Sequence, residues 1–122
     1  MQSTTTGRSG IVYHRGDVVL IPFPFTDLSS VKTRPVVVLS TDGYANKTGN
    51  IIVAMITSVE YTSPYDCPIS DWKSANLLAP SWVRVKIATL DPKLVRFQPG
   101  KLNERDIREI DKRIALALGV KS

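Results

Sequence analysis

Apolar residues gather into short unbroken runs over the first half of this chain and then, near its end, recur at intervals of three and four. The runs are "DVVLIPF" (Asp17 to Phe23), "RPVVVLS" (Arg34 to Ser40) and "NIIVAMITS" (Asn50 to Ser58). They are short and rich in β-branched residues, which predicts strands rather than helices. Their apolarity is continuous instead of alternating, so the strands are expected to be covered on both faces or wrapped in a small closed barrel. A fourth run, "WVRVKIATL" (Trp82 to Leu90), alternates in part between apolar and basic residues, and one of its faces is expected to be wet. From Asn103 the stretch "NERDIREIDKRIALALG" sets Ile107, Ile110, Ile114 and Leu118 on one side of a helix. Asn103 suits the N-cap, Glu104 and Asp106 the first turn, and Gly119 the left-handed position past the end. Glu104 with Arg108 and Glu109 with Arg113 form (i, i+4) pairs on what reads as a solvated face. Strands followed by one late helix predict an α+β, mostly β domain of the small-barrel type with a C-terminal helix. Prolines at 22, 24, 64, 68, 80, 92 and 99 are expected to punctuate strand ends.

A length of 122 residues fits one domain, read as residues 11–122 behind a flexible tail at 1–10. The single cysteine, Cys67, has no partner for an internal disulfide, and one His with one Cys makes no recognisable metal cluster. No metal or other cofactor is therefore expected, and a reducing cytoplasm is the default compartment. No apolar stretch approaches a membrane span, and "MQSTTTGRSG" lacks the apolar core of a signal peptide, so no membrane association is expected. The net charge of +5 admits nucleic acid or an acidic protein segment as partner. Ten Lys/Arg against seven Asp/Glu lie in residues 1–100 and six against four in 101–122, so the excess sits in surface patches rather than in a basic tail.

The run at Arg34 raises a chemical question, because a charged residue and a proline open a core strand. If "RPVVVLS" and "NIIVAMITS" pair as an antiparallel hairpin across "TDGYANKTGN", with Ser40 against Ile51, partners share a residue sum of 91. Arg34 then falls opposite Thr57, on one face, with Cβ atoms roughly 5 Å apart. A guanidinium fork beside a hydroxyl is a competent phosphate site. The alternative is that Arg34 caps a barrel rim and pairs with Asp17 or Asp27. His14, the only imidazole, excludes a two-histidine ribonuclease within one chain and reads as peripheral. Cys67, between Asp66 and Pro68 with no evident base, reads as a structural thiol. No phosphate-cradling glycine loop, nucleophile elbow or metal motif occurs. Any cleavage would have to work by positioning and by an arginine that stabilises developing charge.

The stretches "GDVVLIPFPFTDLSSVKTRPVVVLS" and "YANKTGNIIVAMITS" resemble the MazF/PemK (Kid) toxins of bacterial type II toxin–antitoxin modules, and "LLAPSWVRVKIATLDPKLV" and "GKLNERDIREIDKRIALALG" resemble that family's last strands and C-terminal helix. The resemblance implies an SH3-like small barrel (MazF/CcdB-type) that forms a homodimer and cuts single-stranded RNA without metal. It also implies Arg34 and Thr57 as catalytic residues. The reaction implied is attack of the ribose 2′-OH on the adjacent phosphorus, leaving a 2′,3′-cyclic phosphate and a 5′-OH. Arg34 would neutralise the phosphorane and protonate the leaving oxygen, and Thr57 would hold a phosphate oxygen. The loop before "RP" departs from the family's acidic-amide pattern, which leaves the general base and the cleavage motif open. Ser29, Ser30, Lys32 and Thr33 are the RNA-binding candidates there, and Arg84 and Lys86 are candidates along the RNA path. Trp82, Phe23 and Phe25 read as core or dimer packing, with base stacking as the alternative. A cognate antitoxin with an acidic segment is the implied protein partner. The competing readings are a relative that binds RNA or antitoxin without cutting, and a CcdB-like gyrase inhibitor; the end "LGVKS", with no Trp, argues against the latter.

Overall fold

The computed structural model describes residues 12–22, 32–60 and 63–121. The expected tail at 1–10, Phe23, Phe25, Asp27, Ser29 and Ser30 lie outside them. Among the described residues six strands form one antiparallel sheet: β1 (Asp17–Pro22), β2 (Thr33–Val38), β3 (Ile51–Thr57), β4 (Cys67–Pro68), β5 (Trp82–Leu90) and β6 (Phe97–Lys101). Their spatial order is β4-β5-β3-β2-β1-β6, a curled half-barrel. Helix α1 (Asp42–Thr48) connects β2 to β3, and helix α2 (Glu104–Leu118) follows β6. The mostly β, α+β architecture expected from the runs is the one observed, and β5 spans the predicted residues.

Both faces of the central strands are buried, as their continuous apolarity requires. One face carries Val18, Val37, Ala54, Ile56, Cys67 and Val83, covered by Ile107, Ile110 and Ile114 of α2 and by the segment from Ile69 to Leu77. The other carries Val19, Ile21, Val36, Val38, Ile51, Val53 and Met55, packed by Tyr13, Ala88, Leu90 and Val95. Strand alternation assigns odd and even positions to opposite faces, so two cores share one sheet. Helix α2 is capped as predicted: the Asn103 side chain accepts from the Asp106 N–H, and Gly119 is left-handed at φ 72°. Its apolar stripe ends sooner than expected, however. Leu118 is exposed.

Three elements were not anticipated. The connection "TDGYANKTGN" is not a simple hairpin loop but contains α1, with Thr41 as N-cap and Gly49 left-handed at its end. β4 and the edge strand β6 were also missed, and β6 holds Pro99 within it rather than at its end. An edge strand tolerates this, since the missing N–H need not face a neighbour. The turn before β1 explains the Gly-Asp pair. Gly16 adopts φ +93°, and a Cβ there would lie 2.5 Å from Ile107 Cδ1 of α2. The buried Asp17 carboxylate accepts the His14 N–H at 2.7 Å while the Asp17 N–H donates to the His14 carbonyl at 2.9 Å. No described helix is long and apolar enough to cross a membrane.

Candidate active site

The pairing of β2 with β3 decides which side chains meet. Val36 faces Met55, Val37 faces Ala54 and Val38 faces Val53. Each pair sums to the 91 expected from sequence. The register is pinned beyond Val38 by the Leu39 N–H donating to the Ile52 carbonyl (2.8 Å) and by the Ile52 N–H donating to the Ser40 hydroxyl (2.9 Å). The ladder ends at Val36 and Met55. Two residues further, past the last paired residues, strand alternation puts Arg34 and Thr57 on the face of Val36 and Met55, where an extension of the same register would bring them opposite each other. On its other side Arg34 pairs with Ile21 of β1, and Thr57 pairs with Trp82 of β5. The two candidates thus stand where the central strands part, flanked by Ile21 and Trp82.

Arg34 is exposed and, among the described residues, enters no ion pair. The rim alternative involving Asp17 fails on distance. Asp17 begins β1 and Ile21, the partner of Arg34, lies four residues along it, or ~13 Å. Its carboxylate is also engaged by the His14 N–H. Asp27 lies outside the described residues. Thr57 is half-buried, and its Oγ1 accepts the Val59 N–H at 3.1 Å. That turn uses the hydroxyl as an acceptor and leaves its own hydrogen to donate.

β5 brings the next two candidates to the same side. Val83 and Ile87 face the α2 core while Ala88 and Leu90 join the opposite one. The bulge opposite Met55 adds two residues to β5, so the alternation survives and Arg84 and Lys86 share the face of Arg34 and Thr57. Both are half-buried. Lys32 is exposed just ahead of β2. Thr33, also exposed, is offset by one from Arg34 and projects from the opposite face, away from the other candidates. Ser29 and Ser30 lie outside the described residues.

One charged residue at this face was not singled out from sequence. Asp66 immediately precedes β4, buried at 7 % exposure, with Oδ1 3.7 Å from Arg84 Nε. A lone Asp between apolar and proline residues carries no signal, and a two-residue strand leaves no periodicity to locate it.

The remaining reactive groups stand apart. His14 holds Asp42 at 2.9 Å at the far end of β1, exposed and remote from Arg34. Cys67 is buried in the α2 core, and burial pushes its thiol up to about 11. It is protonated at neutral pH and serves as packing, in line with its reading as a structural thiol.

Residues 14–118 match the family described as "PemK-like, MazF-like toxin of type II toxin-antitoxin system". No curated protein sequence matches the chain. Among solved structures, an endoribonuclease of a mycobacterial species in complex with its cognate antitoxin is similar at TM-score 0.75 and 20 % identity, over 91 % of this chain and 99 % of that one. MazF from Deinococcus radiodurans is similar at TM-score 0.72 and 23 % identity, over 90 % and 99 %. A MazE–MazF complex of the same organism gives TM-score 0.74 and 20 % identity, over 91 % and 100 %. At these identities the structural likeness speaks for the fold.

Proposed function

This chain belongs to the PemK-like, MazF-like toxin family of type II toxin–antitoxin systems, and from that premise we propose that it is an endoribonuclease acting on single-stranded RNA, with Arg34 and Thr57 at the scissile phosphate. The observation that supports this reading is the β2–β3 register: with Val36 facing Met55, strand alternation leaves Arg34 and Thr57 on one face beyond the end of the ladder.

In this reaction the ribose 2′-oxygen attacks the adjacent phosphorus and the bond to the 5′-oxygen breaks. The products are a 2′,3′-cyclic phosphate and a 5′-OH, and the substrate must be RNA. Arg34, exposed and unengaged by any described carboxylate, meets the charge gathering on the equatorial oxygens and on the departing 5′-oxygen. Thr57 donates to a phosphate oxygen, its acceptor side being occupied by the Val59 N–H. Arg84, Lys86 and Lys32 bind the RNA backbone on either side, and Trp82 walls the site next to Thr57.

The same basic face fits an antitoxin that lays down an acidic segment and so competes with RNA. The solved relatives held by their antitoxins make such a partner reasonable. A homodimer working in the cytoplasm completes the reading.

The test is to incubate the purified protein with long single-stranded RNA in EDTA and to map the ends. Cleavage to cyclic-phosphate and 5′-hydroxyl ends, blocked by a single 2′-deoxy substitution at the mapped position, is expected. RNA of diverse sequence left intact would refute the nuclease and leave a binding protein.

A further inference from the structure

We propose that Asp66 is a positioning residue whose buried carboxylate holds the Arg84 guanidinium at the RNA-binding face. The use made of Arg84 rests on the endoribonuclease reading; the coupling of the two side chains does not.

Register comes first. Cys67 pairs with Val83 and Pro68 with Trp82, so one step on sets Asp66 against Arg84, on the face that carries Trp82 and Thr57. The contact follows: Asp66 Oδ1 lies 3.7 Å from Arg84 Nε, with the Asp66 side chain 5 % exposed and that of Arg84 24 % exposed. The 3.7 Å separation makes this an ion pair rather than a hydrogen bond: among the described residues, neither Arg84 Nε nor the second carboxylate oxygen, Oδ2, both buried, has a hydrogen-bond partner. A buried carboxylate is costly to keep, and an unfilled oxygen makes it more so. Such a pair is weak as a device for stability. It is effective as a device for orientation, because Arg84 is the cation that, among the described residues, forms an ion pair with the buried carboxylate.

The mount is rigid. Arg113 of α2 donates through Nη1 to the carbonyls of Pro64 (3.0 Å) and Asp66 (2.7 Å), and Glu109 holds Arg113 in turn, Oε2 lying 3.5 Å from Nε. The main chain of Asp66 is thus clamped from the helix side while its side chain reaches Arg84. This gives the charged side of α2 a task besides facing solvent. Asp66 is not suited to be the missing general base, since at 5 % exposure its carboxylate has no approach to a ribose hydroxyl, which must come within about 3 Å.

The sign of one substitution separates positioning from bulk electrostatics. Asp66→Asn removes a negative charge beside a basic face, and by charge alone it should tighten RNA binding. Positioning predicts the opposite, a KM raised about tenfold with kcat within about threefold, the loss of roughly one well-placed charged contact. Arg84→Ala should do the same, and the double variant should be no worse than Arg84→Ala. Independently of activity, the Arg84 Nε–Hε, shielded by burial beside the carboxylate rather than by a hydrogen bond and assigned by its disappearance in Arg84→Lys, should exchange with water about tenfold faster or more once Asp66→Asn frees the guanidinium to move. If Asp66→Asn fails to fold, Asp66→Glu carries the test, with an intermediate KM and exchange rate expected.

An unchanged or lowered KM in a folded variant overturns the proposal, and so does a defect that adds in full to that of Arg84→Ala. Unchanged Nε–Hε exchange overturns the coupling whatever the activity. A wild-type protein that cuts no RNA overturns the nuclease reading instead, and the exchange measurement then judges Asp66 alone.

Discussion

Asp106 offers a sharp test of how α2 is fastened to the sheet. It stands in the first turn of the helix, 3 % exposed, and its carboxylate accepts from the Ser70 N–H (3.0 Å), the Ser70 hydroxyl (2.7 Å) and the Asp71 N–H (3.1 Å). The helix thus grips the segment that leaves β4, and Arg105 reinforces the contact through the Ser70 hydroxyl at 3.0 Å. Asp106→Ala removes a charged acceptor and strands two part-buried N–H donors. Each hydrogen bond to a charged group is worth ~1.5–3 kcal/mol and the set is not additive, so the whole loss should be about 3–5 kcal/mol. A further few tenths follow from losing an acidic residue near the helix N-terminus. For a domain of this size 1 kcal/mol moves the melting midpoint by roughly 4 °C, which gives a fall of roughly 12–20 °C. Asp106→Asn keeps the shape and one acceptor oxygen and should lose about half as much. Urea and thermal unfolding of the three proteins measure this. A midpoint for Asp106→Ala within ~4 °C of wild type, or Asp106→Asn as the worse of the two, would refute the clamp. RNA cleavage well below the midpoint should be unaffected, because Asp106 anchors the helix on the face opposite Arg34.

Gly16→Ala should cost about 1–3 kcal/mol, since φ +93° disfavours a side chain and its Cβ would meet Ile107 Cδ1 at 2.5 Å. Pairing it with Ile107→Val should recover only the steric part, as chemical denaturation would show. Burial raises the Cys67 thiol from 9.0 to about 11, so below pH 9 folded and unfolded chains both hold the proton and stability is indifferent to it. Between pH 9 and 11 only the unfolded thiol ionises, and wild type should lose roughly 2–3 kcal/mol more than Cys67→Ala over that window. Thiol reagents at pH 8 should accordingly label Cys67 only on unfolding. Lys32→Ala should weaken RNA binding and shrink its salt slope by ~0.7, read from affinities over a salt series.

Much of the architecture could be read from the chain because the relevant patterns were strong and local. Helix α2 announces itself through Asn103, the isoleucine spacing and Gly119, and β5 through its mixed apolar and basic run. The β2–β3 register could be fixed from a single assumed pair, Ser40 with Ile51, because two buried faces forbid a slip by one residue. What escaped notice lacked such a signal. Helix α1 has no buried residue and therefore no apolar period, so its capping residues Thr41 and Gly49 were its only marks. β6 is an edge strand with Pro and Gly inside it, made by backbone pairing to β1 rather than by side-chain pattern. At the site, Arg34 was prompted by being out of place in an apolar run. Asp66 was not, since its meaning lies wholly in Arg84, eighteen residues later in the chain. Thr33 was read as part of the loop before Arg34, but it opens β2, where a residue one step from Arg34 projects from the opposite face.

The central claim is that Arg34 and Thr57 act together on one phosphodiester. Its most direct test is the single-turnover cleavage rate of one mapped RNA, in EDTA, for wild type, Arg34→Ala and Thr57→Ala, each first shown to melt as wild type does. Loss of the exposed guanidinium should slow cleavage on the order of 100-fold or more, and loss of the hydroxyl by a smaller but clear factor. Cleavage by folded Arg34→Ala at the wild-type rate would contradict the account.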